Sequence, residues 1–320
     1  MINDRVPDPP TKAAVRPPLS AVLQRGVGES FVMPIEAGKV REFTTALRGY
    51  RFPRANAGVS VTFPTVVSFW LPHDIAPWAE TGSSVAAALR AGQLIHGSQE
   101  FTYSEPLRVG EKLRVTQSVS DVYEKIGQRS GSMTFIEVTY DCRSADTGSH
   151  IVSMRSTMIM SAAMASVKAS SGHQSIGRQT DNEPVYDEFV PFIDEPLTRT
   201  DFVRYQGASG DFSIPHHDEV YAAQMGMPSV FSLGMLQAGI LGMYVSELFG
   251  SDNVRRFRVE FRELAWPEDV LRYRARVVGC ETHDKGHDLL TLQLQVVKPN
   301  GAEHIRGSAQ VVAENNYAVH

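Results

Sequence analysis

The sequence has 320 residues, 42% of them hydrophobic and 21% charged, and 31 Lys and Arg against 36 Asp and Glu give a formal net charge of −5. This balance is typical of a globular protein and excludes collagen-like, coiled-coil and disordered chains. The mild acid excess gives no electrostatic footprint for nucleic acid or for an anionic membrane surface, so neither is an expected partner.

The order of segments along the chain predicts two domains. Residues 1–25 are rich in Pro and charge and lack the apolar core of a signal peptide, so we expect a flexible N-terminal arm. A Ser/Ala/Gly/Gln-rich stretch at 161–183 is interpreted as a linker between domains at 26–160 and 184–320. The longest apolar runs are far shorter than the roughly 20 residues that cross a bilayer. Two cysteines without metal-type or redox-type spacing favour a reducing cytoplasm.

The two halves resemble each other, which indicates an internal duplication. Three residues of the first half recur 158 residues later: Glu105, Leu113 and Arg114 return as Glu263, Leu271 and Arg272. In both halves, strands with period-two alternation follow, and they are separated by predicted polar turns at Glu124–Gly127 and His283–Gly286. This pattern is typical of an antiparallel meander.

Helical segments precede the strands of the second half. Thr200 and Asp201 predict the start of a short helix, and Asp218 predicts the start of a second. The stretch 232–249 is apolar nearly all round, as in a helix buried on every side. Its glycines cost about 1 kcal/mol each and predict close approach to a sheet. The predicted fold class is α+β, with a curved antiparallel sheet around a long central helix in each half.

The residues with the clearest chemical meaning lie on one loop of the second half. Asp211 and His216 are five residues apart, and Gly210 and Pro215, each directly before one of them, are expected to set turns there. A carboxylate beside an imidazole can move a proton and activate water, worth roughly 10²–10⁴-fold per positioned group. Gly234 opens the buried helix, where free N–H groups and the helix dipole can hold an enolate or oxyanion. A glycine also lets a ligand carbonyl approach closely.

These residues resemble a known family. Ser209-Gly210-Asp211, then His216 and Asp218, and the Gly234-Met235 that opens an apolar helix, resemble the hydratase motif of the MaoC-like (R)-specific enoyl-CoA hydratases and dehydratases. The first half resembles the degenerate N-terminal domain of two-domain members through Leu94–Phe101 and Pro106–Leu113. The resemblance implies two tandem hot-dog folds and covers almost everything after about residue 30.

The resemblance also implies the roles of individual residues. Asp211 and His216 would activate one water, the Gly234 amide would hold the thioester carbonyl, and Gly210 and Ser213 would support the pair. The reaction would be reversible hydration of a trans-2-enoyl thioester to a (3R)-3-hydroxyacyl thioester. Two positions depart from the family pattern, because Ser213 stands where Asn is usual and Leu233 where His is frequent. A serine retains one hydrogen bond but not the two-sided contact of an amide.

Other residues have two interpretations each. Arg48, Arg51 and Arg54 would meet coenzyme A phosphates or form a solvated basic face, while Met227 and Leu233 would line the acyl pocket or pack in the core. A metal site is disfavoured, because adjacent histidines such as His216 and His217 rarely point the same way. His96 is interpreted as a structural remnant at a turn. No acidic residue or histidine occurs between Glu42 and His73, so the first half is expected to be catalytically silent.

The expected ligands follow from this interpretation. No cofactor is expected, with coenzyme A entering as part of an acyl-CoA or acyl-carrier thioester substrate. Two chains are expected to associate as a homodimer, because sheet faces remain to be covered. Two rival functions stay open: a hot-dog thioesterase, and a non-catalytic thioester-binding subunit, which the Ser213 and Leu233 departures favour.

Overall fold

A computed structural model describes residues 26–28, 30–70, 94–127, 131–161, 187–282 and 287–314. The α-helices are α1 (Ala37–Ala46), α2 (Val67–Trp70), α3 (Arg199–Ser209), α4 (Glu219–Gln224) and α5 (Gly234–Phe249). The strands are β1 (Gly26–Val27), β2 (Phe31–Pro34), β3 (Leu94–Tyr103), β4 (Lys112–Gly127), β5 (Gly131–Ser144), β6 (His150–Ser161), β7 (Asp187–Glu188), β8 (Phe192–Ile193), β9 (Val254–Phe261), β10 (Arg272–Thr282), β11 (His287–Val297) and β12 (Glu303–Glu314). Short 3-10 turns include Gly49–Arg51, Ala55–Ala57 and Ile214–His216.

All strands belong to one antiparallel sheet whose order reflects the duplication. The order is β1-β4-β5-β6-β3-β9-β12-β11-β10-β7, and β2 and β8 pair with β4 and β10. Four strands of one half mirror four of the other, and β3 pairs with β9 where the halves meet. At this junction Glu100 lies opposite Arg258. The predicted α+β tandem hot-dog fold is confirmed.

Period-two alternation explains which face of the sheet is buried. In β11, Leu290, Leu292, Leu294 and Val296 are at most 1% exposed, and the residues between them are half-buried. Successive side chains of a strand point to opposite faces, so one face of the sheet supplies the core.

The central helix of the second half, α5, is confirmed. It is buried along nearly its whole length, as its composition predicts. Its glycines, however, do not all face the sheet as expected. A Cβ on Gly242 would lie 2.9 Å from a methyl of Val61, and one on Gly239 would overlap Leu47. The helix therefore packs against the first half's segment 47–66 on one side and the sheet on the other.

Several local predictions are corrected or fall elsewhere. The cap of α3 is Thr198, whose hydroxyl accepts from the Asp201 N–H while Asp201 accepts from the Thr198 N–H, a capping box. Asp218 caps α4 as predicted. The predicted turn at Glu124–Gly127 is wrong, because β4 continues through it. The predicted arm at 1–25, nearly all of the predicted linker and most of the segment expected to form the central helix of the first half lie outside the described residues.

Candidate active site

The loop that carries Asp211 begins at a left-handed helix end. Helix α3 ends at Ser209, and Gly210 follows with φ +88°, donating its N–H to the Gln206 carbonyl. This conformation favours glycine. A Cβ at Gly210 would also lie 2.9 Å from Cβ of Phe69 in the first half. Gly210 therefore supports the site by turning the chain where the other half leaves no room for a side chain.

Asp211 is held by backbone groups of its own loop. Its Oδ1 accepts the Ser213 N–H at 3.2 Å, and its N–H donates to the Ser209 hydroxyl at 3.2 Å. The predicted support from Ser213 is thus made by its backbone. This contact is available to any residue except proline, so a serine at this position leaves the carboxylate oriented.

His216 is fixed in one tautomer. Its Nδ1 lies 2.8 Å from the Phe231 carbonyl oxygen, which can only accept, so Nδ1 carries the proton and Nε2 is a bare acceptor. The ring also packs edge-on against Phe231. Burial lowers the pKa of His216 below its ordinary value, and the charge of nearby Asp211 opposes this shift only in part. The ring is therefore neutral near pH 7, with the lone pair of Nε2 free to accept a hydrogen bond.

A buried glutamine that the sequence analysis did not single out holds the Asp211–His216 loop through two side-chain hydrogen bonds. Gln206 is 2% exposed, donates from Nε2 to the Ser213 carbonyl at 3.0 Å and bonds His217 Nδ1 through Oε1 at 3.0 Å. His216 and His217 thus bind different partners, and Asp218 caps α4. Among the described residues, no group of three acidic, Cys or His side chains is placed to hold a metal ion.

Helix α5 begins at Gly234, as predicted. Its N-cap, Leu233, makes no side-chain capping bond within the described chain. The Leu236 N–H donates to the Leu233 carbonyl, which leaves the N–H groups of Gly234 and Met235 as the donors of the first turn. A Cβ on Gly234 would lie 2.7 Å from the Phe261 ring. The glycine is thus required by packing against β9, and it exposes its backbone at the same point.

Two further polar groups lie near Asp211: His96, which the sequence analysis placed at a turn, and Tyr205, which it did not single out. Burial lowers the pKa of His96 to about 4, and the Asp211 charge acts on it in the opposite direction. Burial raises the pKa of Tyr205 well above its ordinary value, with a further contribution from Asp211. His96 Nε2 and the Tyr205 hydroxyl are buried and have no hydrogen-bond partner within the described ranges. His96 lies in β3 rather than at a turn, which corrects the earlier interpretation.

The structure corrects the role expected of Arg48. Its side chain is 8% exposed and makes ion pairs of 3.1–3.2 Å with Asp194, Glu195 and Asp201. A guanidinium that three carboxylates already neutralise is neither a phosphate ligand nor part of a solvated basic face. Arg51 pairs with Glu195 at 3.1 Å and lies over the Phe192 ring.

The two residues predicted either to line an acyl pocket or to pack in the core lie in the core. Met227 is 9% exposed and Leu233 is 2% exposed, and both belong to the continuous hydrophobic cluster. Their contact with substrate stays a prediction, as does that of Arg51.

Each half of the chain matches the model of a known protein family. Residues 26–154 match the FAS1-like dehydratase domain region, and residues 181–297 match the MaoC-like domain. The chain belongs to the MaoC-like dehydratase family. The duplicated sheet makes this MaoC-like protein a double hot dog, and the loop with Asp211 and His216 falls inside the MaoC-like match.

Solved structures agree on the fold. A MaoC-like dehydratase superposes with a TM-score of 0.66 at 18% identity, covering 89% of this chain and 97% of that one. A MaoC-like dehydratase from Phytophthora capsici superposes with a TM-score of 0.64 at 16% identity, covering 93% of this chain and 98% of that one. The peroxisomal multifunctional enzyme type 2 from Drosophila melanogaster superposes with a TM-score of 0.59 at 14% identity, covering 90% of this chain and 48% of that one. Comparison with curated proteins gave no match.

Proposed function

We propose that this MaoC-like protein catalyses reversible addition of water to a trans-2-enoyl thioester, giving a (3R)-3-hydroxyacyl thioester. The observation that carries the proposal is the fixed tautomer of His216. A neutral imidazole with a bare Nε2, within the electrostatic influence of the oriented Asp211 carboxylate, supplies two acceptors for one water molecule. Membership of a dehydratase family supports the same reaction class.

The proposed mechanism adds one water molecule across the C2–C3 double bond and consumes no other reactant. Asp211 and His216 Nε2 each accept one hydrogen of the water, which raises its nucleophilicity. The water oxygen bonds to C3 while the C2–C3 π pair moves into the thioester as an enolate. One proton passes through the pair to C2, on the face where the oxygen adds. The first-turn N–H groups of α5, with that of Gly234 foremost, stabilise the enolate oxygen.

The substrate carrier is part of the proposal. We infer a coenzyme A or acyl-carrier thioester and no separate cofactor, since the chemistry needs only water, a proton acceptor and an oxyanion donor. A homodimer of double hot dogs stays a prediction. No helix within the described ranges meets the length and apolarity needed to span a bilayer.

The test is the loss of enoyl-thioester absorbance on mixing the protein with short, medium and bulky trans-2-enoyl-CoA substrates. Asp211→Asn is expected to lower kcat by about 10²–10⁴-fold while retaining substrate binding. Asp252→Asn is the matched control, because Asp252 is a half-exposed partner of Arg108 far along the chain from the loop. Release of free coenzyme A would favour the thioesterase, and binding without turnover of any substrate would favour the non-catalytic subunit.

A further inference from the structure

The chain between Asp211 and His216 is tied together at Ser213. The Ser213 N–H donates to Oδ1 of Asp211 at 3.2 Å, and the Ser213 carbonyl accepts the His216 N–H at 3.4 Å. Packing does little to fix this part of the loop, because Phe212 is 66% exposed and Ser213 and Ile214 are half-buried. The backbone of Ser213 therefore links the two residues of the proposed catalytic pair.

These local hydrogen bonds are weak by themselves. N–H to O hydrogen bonds in proteins are mostly about 2.7–3.2 Å long, and the bond from His216 to Ser213 is longer. Backbone groups in a half-buried turn also exchange their bonds with water at small net gain. A contact from a rigid element is needed to keep Ser213 in one place.

Gln206 supplies that contact from α3. It is 2% exposed, its Nε2 donates to the Ser213 carbonyl at 3.0 Å, and its Oε1 accepts from His217 Nδ1 at 3.0 Å. A carbonyl oxygen can only accept, so the amide faces Ser213 with Nε2 and leaves Oε1 for the histidine. The backbone carbonyl of Gln206 also accepts the Gly210 N–H at 2.8 Å. One residue thus holds the start, the middle and the end of the loop.

Helix α3 is a firm base for these contacts. It begins with the capping box of Thr198 and Asp201, and Asp201 also pairs with Arg48 of the first half at 3.2 Å. Tyr205, next to Gln206 in the helix, is fully buried. The bonds from Gln206 therefore fix the loop relative to the body of the protein.

The proposed reaction makes the position of the loop matter. Hydrogen bonds of about 2.8 Å from both hydrogens of one water place the two acceptor atoms roughly 4–5 Å apart. Asp211 and His216 lie on either side of Ser213, so the separation of the two acceptors depends on where Ser213 is held. A misplacement of about 1 Å can lower a rate by about 10²-fold.

We propose that Gln206 is a positioning residue of the hydration reaction, which sets the separation of the two water acceptors by anchoring Ser213 and His217 to α3. This inference rests on the proposed function. Gln206 acts through the neighbours of the catalytic pair and takes no proton itself. Its loss is therefore expected to affect the orientation of the water, and not the binding of a thioester whose carbonyl is assigned to Gly234.

The test measures steady-state hydration and melting temperature for variants of the full chain. Gln206→Met keeps the length of the side chain but removes both of its hydrogen bonds, and we expect kcat to fall about 10- to 100-fold with little change in KM. Tyr244→Phe is the matched control, because the Tyr244 hydroxyl also joins a buried helix side chain to a loop carbonyl, that of Val190, at 2.8 Å. Tyr244 lies about 15 Å along α5 from Gly234, so this variant is expected to melt earlier and keep wild-type kcat.

A double-mutant cycle tests the second arm of the contact. His217→Ala removes the bond to Oε1 alone and is expected to lower kcat less than Gln206→Met does. Because His217 is held through Gln206, His217→Ala should lower kcat little further when Gln206→Met is already present. Independent, additive losses would contradict the anchoring of His217 by Gln206.

The other failures are distinguishable. Wild-type kcat in Gln206→Met would overturn the inference and leave the proposed function intact. A similar loss of kcat in Gln206→Met and Tyr244→Phe, in step with their melting temperatures, would assign Gln206 a purely structural role. A wild type that hydrates none of the thioesters would overturn the proposed function and this inference with it.

Discussion

The first helices of the two halves end alike and are then used differently. Helix α1 is followed by Arg48 at φ +57°, and α3 by Gly210 at φ +88°. After Gly210 the chain presents Asp211 and His216. Arg48 instead reaches into the second half and binds three of its carboxylates. The second half carries the loop of the proposed active site after its first helix, and the first half uses the corresponding place to hold the halves together.

The difference gives the first half a structural role beside the second. Segment 47–66 of the first half is largely buried and covers α5, with Leu47 and Val61 against the helix glycines. Glu247 of α5 in turn accepts the N–H groups of Arg54 and Ala55. The central helix of the second half therefore depends on the first half for one of its walls.

The largest expected effect on stability comes from removing Arg48. Arg48→Met would leave Asp194 and Asp201 without their buried cation, and we expect unfolding free energy to fall by about 3–5 kcal/mol. The matched control is Arg199→Met, which breaks the solvent-exposed pair with Glu219 and should cost much less than the loss of Arg48. Urea unfolding measures both. Equal losses would contradict the role given to Arg48.

The buried histidines predict an acid-side loss of stability. Burial lowers the pKa of His304 to about 4, below the ordinary value of 6.5. As pH falls from 6.5 toward 4, the unfolded chain takes up this proton before the folded one. Stability therefore falls by about 1.4 kcal/mol per pH unit for each such group. The unfolding free energy, measured with urea at several pH values in this range, should depend less steeply on pH for His304→Gln than for wild type. The same pH dependence in both proteins would refute the prediction.

The smallest expected effect tests the contact between α5 and the first half. Alanine favours helices over glycine, yet Gly242→Ala would press its methyl against Val61 and is expected to destabilise by about 1–3 kcal/mol. Gly38→Ala, in α1 where a Cβ meets no described atom within 4 Å, should stabilise by about 0.4–1 kcal/mol. Melting temperatures of the two variants show whether each substitution stabilises or destabilises the protein. A stabilising Gly242→Ala would show that the packing is loose.

The sequence predicted the duplication, the central helix and the Asp211–His216 loop because each has a local signature. It did not single out β3 and β9, whose pairing joins the halves, since strand partners far apart in the chain leave no local pattern. Arg48 was misread for the same reason, because its carboxylates lie about 150 residues away. His96 was read as a remnant because a one-residue bulge, invisible to alternation, decides which way it faces.

The central claim is that Asp211 and His216 direct water to C3 of an enoyl thioester. The most direct test follows oxygen from heavy-oxygen water during reaction of a trans-2-enoyl-CoA, with product analysis by mass spectrometry for wild type and Asp211→Asn. The account predicts label on the C3 hydroxyl of an intact (3R) thioester in wild type, with label lost in the variant. Label in a free carboxylate, or equal labelling by both proteins, would contradict it.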